Sequence, residues 1–266
     1  TLKSFDSQGF TVGRTSDVND RADNYVAWTW KAGGAATSNS NGTITSNVSA
    51  NQDAGFSIVS FQGNSTNPST VGHGLAKAPE MIILKEYSDS GTWYVGHDEI
   101  GWTDRLKLDE AVNVAASTAL WNDTAPTNSV FTISSSLNIN GEDIIAYCFH
   151  SVEGYSKVGS YLTNNDDDGT YVFLGFRPAW VMVKQTAATD WQILDSKRNP
   201  TNPLNDALEP NQALSTRTTT STSGFFADFL SNGFKLRGNG SGYNGSADSV
   251  IYLAFAEAPF KFANAR

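Results

Sequence analysis

Runs of three to six residues rich in β-branched and aromatic types, bounded by Gly, Asn, Asp and Pro, recur along the whole chain. They are Phe56 to Phe61, Met81 to Leu84, Trp93 to Val95, Val130 to Ile133, Tyr171 to Leu174, Val181 to Val183, Trp191 to Leu194 and Phe234 to Leu236. Runs of this length and content, several mixing apolar with polar positions, predict strands with one wet face. Only Leu106 to Ala116 and Asp206 to Leu214 could hold a short helix, and Pro210 leaves at most a turn in the second.

The runs repeat. Ala78-Pro79-Glu80-Met81-Ile82-Ile83-Leu84-Lys85 matches Arg177-Pro178-Ala179-Trp180-Val181-Met182-Val183-Lys184 at an offset of 99. Gly55-Phe56-Ser57-Ile58-Val59 matches Gly154-Tyr155-Ser156-Lys157-Val158 at the same offset, and Trp93 with His97 matches Trp191 with Asp195 at 98. Closing aromatic strands, Ile144 to Phe149 and Val250 to Phe255, stand 106 apart. Self-similarity at a fixed period marks a duplicated unit. The expected fold is therefore all-β: two tandem, duplicated β-sandwich units of lectin or jelly-roll type, with little helix.

The boundaries come from the same matches. Residues 51–152 form the first sandwich and 153–266 the second. Residues 1–50 comprise an opening segment and a Gly/Ser/Asn-rich connection. Ser7-Gln8-Gly9-Phe10 echoes Ser231-Asn232-Gly233-Phe234, and Tyr25 to Trp30 echoes a closing strand. Residues 1–31 thus read as the closing hairpin of a preceding unit or as edge strands of the first. Gly33 to Asp53 reads as a flexible linker or a polar strand pair. The chain opens at Thr1 without a leader-like segment, the expectation for a piece of something longer. No linker separates Phe149 from Gly154, so the two units are expected to pack rigidly.

Composition narrows the function classes. Asn, Ser, Thr and Gly supply 100 of 266 residues, which suits turns and strands. The formal net charge is −9 and the basic residues never form a run, which argues against nucleic acid. No apolar run is long enough for a membrane helix. A single cysteine, Cys148, excludes a disulfide framework within the chain and reads as a small buried apolar residue.

Several strings taken together resemble a repeat domain of unknown function in marine tailed bacteriophages. These are Val71-Gly72-His73-Gly74-Leu75, Cys148-Phe149-His150-Ser151-Val152-Glu153-Gly154-Tyr155-Ser156-Lys157, Gly175-Phe176-Arg177-Pro178-Ala179-Trp180, Ser231-Asn232-Gly233-Phe234-Lys235 and Tyr252-Leu253-Ala254-Phe255-Ala256-Glu257-Ala258-Pro259-Phe260. Such domains sit at the C-terminal ends of tail-fibre-like or virion structural proteins. The resemblance implies a non-enzymatic virion protein, the distal part of a tail fibre or spike. Its expected partners are a host-surface glycan or protein and other virion proteins, in a homotrimer outside the cell. A tail polysaccharide depolymerase and a capsid decoration or self-assembling surface protein are the alternatives.

No catalytic motif appears. His73, His97 and His150 lack metal-ligand spacing, and there is no Gly-x-Ser-x-Gly. Asp166, Asp167 and Asp168 form an acidic loop that could give oxygen ligands to calcium, against a solvated turn; no other cofactor is expected. For a saccharide, Trp or Tyr faces and carboxylate or guanidinium groups are the chemistry to seek. Trp102 and Trp121 lie in loops unmatched between the copies and are expected to be exposed contacts, joined by Tyr94, Asp98, Asp195 and Arg198. Trp93 and Trp191 recur in both copies and are expected to pack between sheets, as is Trp180.

Overall fold

The computed structural model describes residues 2–7, 9–88, 90–218, 226–245 and 248–258. Gln8, Ser246, Pro259, Phe260 and most of the 216–224 loop lie outside them. The chain divides into Thr1–Lys31 and a compact unit, Ala32–Arg266.

In the first of these, β1 (Leu2–Asp6) and β2 (Gly9–Val12) form a hairpin by themselves, followed by one helical turn, α1 (Ser16–Asn19). Phe5 pairs with Phe10 and Asp6 with Gly9. Tyr25 to Trp30 forms no strand, contrary to the closing strand expected there.

The first half of the large unit holds β3 (Thr37–Asn39), β4 (Ser46–Asn51), β5 (Phe56–Gln62), β6 (Ser69–Gly72), β7 (Met81–Glu86) and β8 (Trp93–His97). It continues with β9 (Asp104–Lys107), β10 (Ala115–Ala116), α2 (Thr118–Trp121), β11 (Val130–Ile133) and β12 (Asp143–Phe149). The second half holds β13 (Ser156–Leu162), β14 (Tyr171–Phe173), β15 (Pro178–Gln185), β16 (Gln192–Asp195), β17 (Asp206–Ala207), β18 (Arg217–Thr218), β19 (Ala227–Leu230), β20 (Gly233–Leu236) and β21 (Ser249–Ala256). Each of the eight predicted runs overlaps a strand.

The two halves use one strand order. β5-β12-β7-β8 lie side by side within the eight-stranded sheet, and β13-β21-β15-β16 form the corresponding sheet. A small second sheet covers each: β6 with β11, and β14 with β20 and β19. All these pairings are antiparallel. β19 and β20 pair Phe229 with Phe234 and Leu230 with Gly233, the register seen in β1 and β2. Phe229 and Phe234 are fully buried, whereas Phe5 is 79% exposed.

Each half has its own apolar core. Val59, Phe61, Ile82, Leu84 and Cys148 meet Val71, Phe131 and Ile133 in the first. Tyr161, Val181, Val183 and Tyr252 meet Val172, Phe229 and Phe234 in the second. A third buried layer lies on the opposite faces of the large sheets, because strand neighbours alternate between faces. Met81, Val95 and Phe149 of the first half, and Trp180, Leu253 and Phe255 of the second, belong to it. Phe149 and Phe255 meet edge to face there, centroids 6.2 Å apart. The expected rigid packing is thus a sheet-on-sheet interface.

The structure decides three further segments. Gly33 to Asp53 is the strand pair, not a linker: β3 and β4 extend the eight-stranded sheet. Leu106 to Ala116 is not helical, because Leu106 and Lys107 pair with Val95 and Tyr94, and sheet pairing overrides local helix propensity. Asp206 to Leu214 begins in β17, which pairs with β18, and keeps the turn expected at Pro210, where Gln212 N donates to Glu209 O at 2.9 Å.

The opening strand also slips by one residue against the sequence match. Phe56 lies opposite Phe149 and Ser156 opposite Phe255, so β5 corresponds to β13 at an offset of 100. Gly55 and Gly154 match at 99, and both have positive φ (61° and 77°). The extra residue is therefore taken up at Tyr155.

Candidate functional site

The two loop tryptophans are not surface contacts. Trp102 is 5% exposed and Trp121 not at all, and their rings meet at 5.4 Å and 89° inside the first core. The reason is Gly96 in β8. A Cβ there would come within 2.5 Å of the Trp102 ring and 2.9 Å of Trp121, so the bare backbone makes room for both indoles. Trp102 Nε1 donates to Asp98 Oδ1 at 3.3 Å. Asp98 itself is exposed.

Asp195 and Arg198 are also engaged. The Asp195 carboxylate is buried, accepts from Lys197 N and Arg198 N, and pairs with Arg198 Nε at 2.6 Å. His97, its counterpart in the first half, accepts from Glu99 N through Nδ1 at 3.2 Å. Both side chains fold the turn after their strand, a structural reason for the sequence match. Tyr94 is half-buried against the first core, with the Arg105 guanidinium 5.8 Å above its ring.

The acidic loop closes on itself and on two cations. Asp168 N donates to Asp166 Oδ1 at 2.8 Å, and Asn244 Nδ2 donates to Asp166 O at 2.9 Å. Asp168 lies 2.9 Å from Lys235 Nζ and 3.6 Å from Arg237, and the Lys235 hydrogen bond lowers its pKa. Among the described residues, no three His, Cys, Asp or Glu side chains are grouped to hold a metal ion. His73 Nδ1 accepts from Leu75 N and His150 Nδ1 lies 2.9 Å from Ser151 O, so both serve local backbone.

What opens to solvent is Trp93. It lies half-buried at the margin of the face that the large sheet turns toward the second half, nearly parallel to Tyr147 (17°, centroids 6.3 Å apart) and across from Lys85. Its ring lines a cleft of about 290 Å³ with Leu108 and Asp109 of the first half and Pro210 of the second. Backbone fixes the walls: Leu108 N donates to Trp93 O at 2.9 Å, and Trp93 N to Asp109 Oδ1 at 3.2 Å.

Behind the cleft the halves are bolted together. Trp191 is buried and its Nε1 donates to Lys107 O at 2.7 Å. Asn211 Oδ1 accepts from Trp191 N, and Asn211 Nδ2 donates to Asp190. Lys184 is fully buried, donates to Gln185 O and Ala187 O, and has its pKa lowered by burial to about 8. The two matched tryptophans therefore differ: Trp191 is buried and joins the halves, and Trp93 is half-buried and lines the cleft.

The family described as Domain of unknown function (DUF7483) matches residues 1–259. The chain belongs to this family. No curated protein and no solved structure matches it. For this member of DUF7483, the site therefore rests on its own geometry. An indole face, a proline ring and a carboxylate at one mouth can stack on the apolar face of a sugar and accept its hydroxyls. Sequence reasoning passes over Trp93 because it recurs. Asp109 Oδ1 caps Trp93 N as Asn211 Oδ1 caps Trp191 N, so recurrence extends to this turn and hides the difference between the two indoles.

Proposed function

We propose that this chain is a non-enzymatic attachment module of a bacteriophage virion, the distal part of a tail fibre or spike, and that it holds a host-surface saccharide in the Trp93 cleft. The observation that carries the reading is the cleft lined by Trp93, Leu108, Asp109 and Pro210. Asp109 Oδ1 is committed to the Trp93 backbone, which leaves Oδ2 for a hydroxyl. Tyr147 backs the indole and fixes its plane, so little side-chain entropy is lost on stacking. The cleft suits a single sugar ring, and weak sites of this kind gain strength when several copies act together, as in the trimer proposed for a fibre.

The virion context is supported by the phage-like motif strings and by matched strands whose connecting loops differ between the two halves. Two measurements test the reading. Glycan-array binding by the whole chain should be lost in Trp93→Ala, and cryo-EM of particles should place the chain at the tail tip. Unchanged array binding by Trp93→Ala, or a position on the capsid, would overturn it.

A further inference from the structure

One stretch of chain closes two sheet edges in the first half. Along β6, Ile44 N donates to Thr70 O at 3.0 Å, Thr43 Oγ1 accepts from Thr70 N at 2.8 Å, and Ser46 Oγ donates to Gly72 O at 2.8 Å. The same stretch then becomes β4 and pairs with β5 from Asn47 opposite Ser60 to Asn51 opposite Phe56. Ile44 and Val48 are buried in doing so.

The second half has the same strands but lacks that stretch, because β12 reaches β13 through residues 150–155 alone. β13 and β14 therefore stand at the ends of their sheets. Val71 lies opposite Phe131 and Val172 opposite Phe234, so Tyr171 and Phe173 occupy the places of Thr70 and Gly72. Val172 faces β20, which turns the N–H and C=O of Tyr171 outward, where they have no backbone partner among the described residues. Phe173 O accepts from Lys157 Nζ at 2.8 Å, the service that Ser46 Oγ performs for Gly72.

On β13, Ser156 is held by Val152 and Val158 N by Ser151 Oγ, while the outward N–H groups of Ser160 and Leu162 have no backbone partner among the described residues. Large apolar side chains rim this corner: Leu162, Tyr171 and Phe173 are 71%, 41% and 58% exposed. Exposed apolar groups beside unpaired strand edges mark a surface that pairs.

We propose that the open edges of β14 and β13 dock an extended strand from another protein chain, continuing both sheets as Thr43 to Asn51 does in the first half. The template sets the chemistry. That stretch carries no charge, alternates Ser, Thr and Asn with β-branched residues, and sets Ile44 beside Val71 as its apolar anchor. An occupant of the same kind would set its anchor beside Val172, flanked by the Tyr171 and Phe173 rings, and take the Phe173 carbonyl from Lys157. A second copy is not the donor, because its own Thr43 to Asn51 is already paired and would expose Ile44 and Val48 if lent. Lys157 guards the edge until then, as edge lysines do. The proposal is independent of the saccharide reading.

The test uses the full chain and a synthetic peptide with the sequence of residues 41–52, monitored by hydrogen exchange and calorimetry. Binding should slow exchange at residues 158–162 and 171–173. Tyr171→Thr with Phe173→Ala should weaken it at least tenfold, and a peptide carrying Ile44→Ser should not bind. Lys157→Ala should tighten it, and leaves folding open to a separate check by thermal melt. Equal binding of a scrambled peptide, or no protection on these strands, would overturn the proposal. So would a peptide-free dimer that protects the same amides, since a second copy would then be the occupant.

Discussion

Trp191 Nε1 donates to the carbonyl of Lys107 at 2.7 Å, fastening the second half to β9 of the first. The indole is buried, the bond is part-buried, and Lys107 adjoins Leu108 of the Trp93 cleft, so the join between the halves also fixes one wall of the proposed site. Trp191→Phe removes the donor and leaves the Lys107 carbonyl unsatisfied, at a cost of about 1–3 kcal/mol. Urea denaturation checks the value. Trp191→Ala adds a cavity and should cost about 3–5 kcal/mol.

The Trp102 and Trp121 pair should behave as core. Either residue changed to Ala should lower stability by about 3–5 kcal/mol in a thermal or denaturant melt. Gly96→Ala should be disruptive as well, because its new methyl meets both rings. A melt unchanged by either Trp substitution would place these indoles outside the core.

How much of the structure is legible in the sequence depends on the kind of contact. The strand runs declare themselves because β-branched and aromatic clusters between turn residues have few other uses, and the repeat shows because matched strands keep matched cores. The fate of the tryptophans does not. An unmatched loop can fold back as readily as it can face solvent, and only Gly96, a bare position inside an apolar strand, hints that Trp102 and Trp121 fill the gap. Recurrence makes Trp93 and Trp191 look alike, and their backbone N–H groups are capped alike by Asp109 and Asn211; only the Trp191 indole is fully buried, with Nε1 taken by Lys107 O. The places of β13 and β14 at the ends of their sheets among the described residues leave no trace in the sequence, since strand neighbours come from tertiary topology.

Acid should loosen the join between halves. His97 is buried, with Nε2 3.5 Å from Tyr252 O in the second half, and burial lowers its pKa to about 4. Nearby Asp98 favours the charged form but does not offset burial. The unfolded chain binds this proton from about pH 6.5 downward and the folded chain only near 4, so stability should fall as pH drops through that window. His73, also lowered by burial, adds to the same trend. His97→Gln should reduce the slope between pH 6.5 and 4 in pH-resolved urea melts.

Lys184 predicts the opposite end of the scale. Its folded pKa of about 8 lies below the ordinary 10.5, so the unfolded chain holds more protons between those values. Stability should rise as pH climbs from 8 toward about 9.5, before the tyrosines titrate. Lys184→Met should flatten that rise, measured by the denaturation midpoint at each pH.

The most direct measurement of the central claim is a titration with a panel of neutral hexose oligosaccharides, observed by NMR of the seven tryptophan indoles. The proposed site predicts that the Trp93 indole resonance moves first and that Trp102, Trp121 and Trp191 stay put. Trp93→Ala should abolish binding while costing only about 1–2 kcal/mol of stability, the scale of a lost aromatic pair. Binding retained by a folded Trp93→Ala chain, or resonance shifts confined to other indoles, would contradict the account.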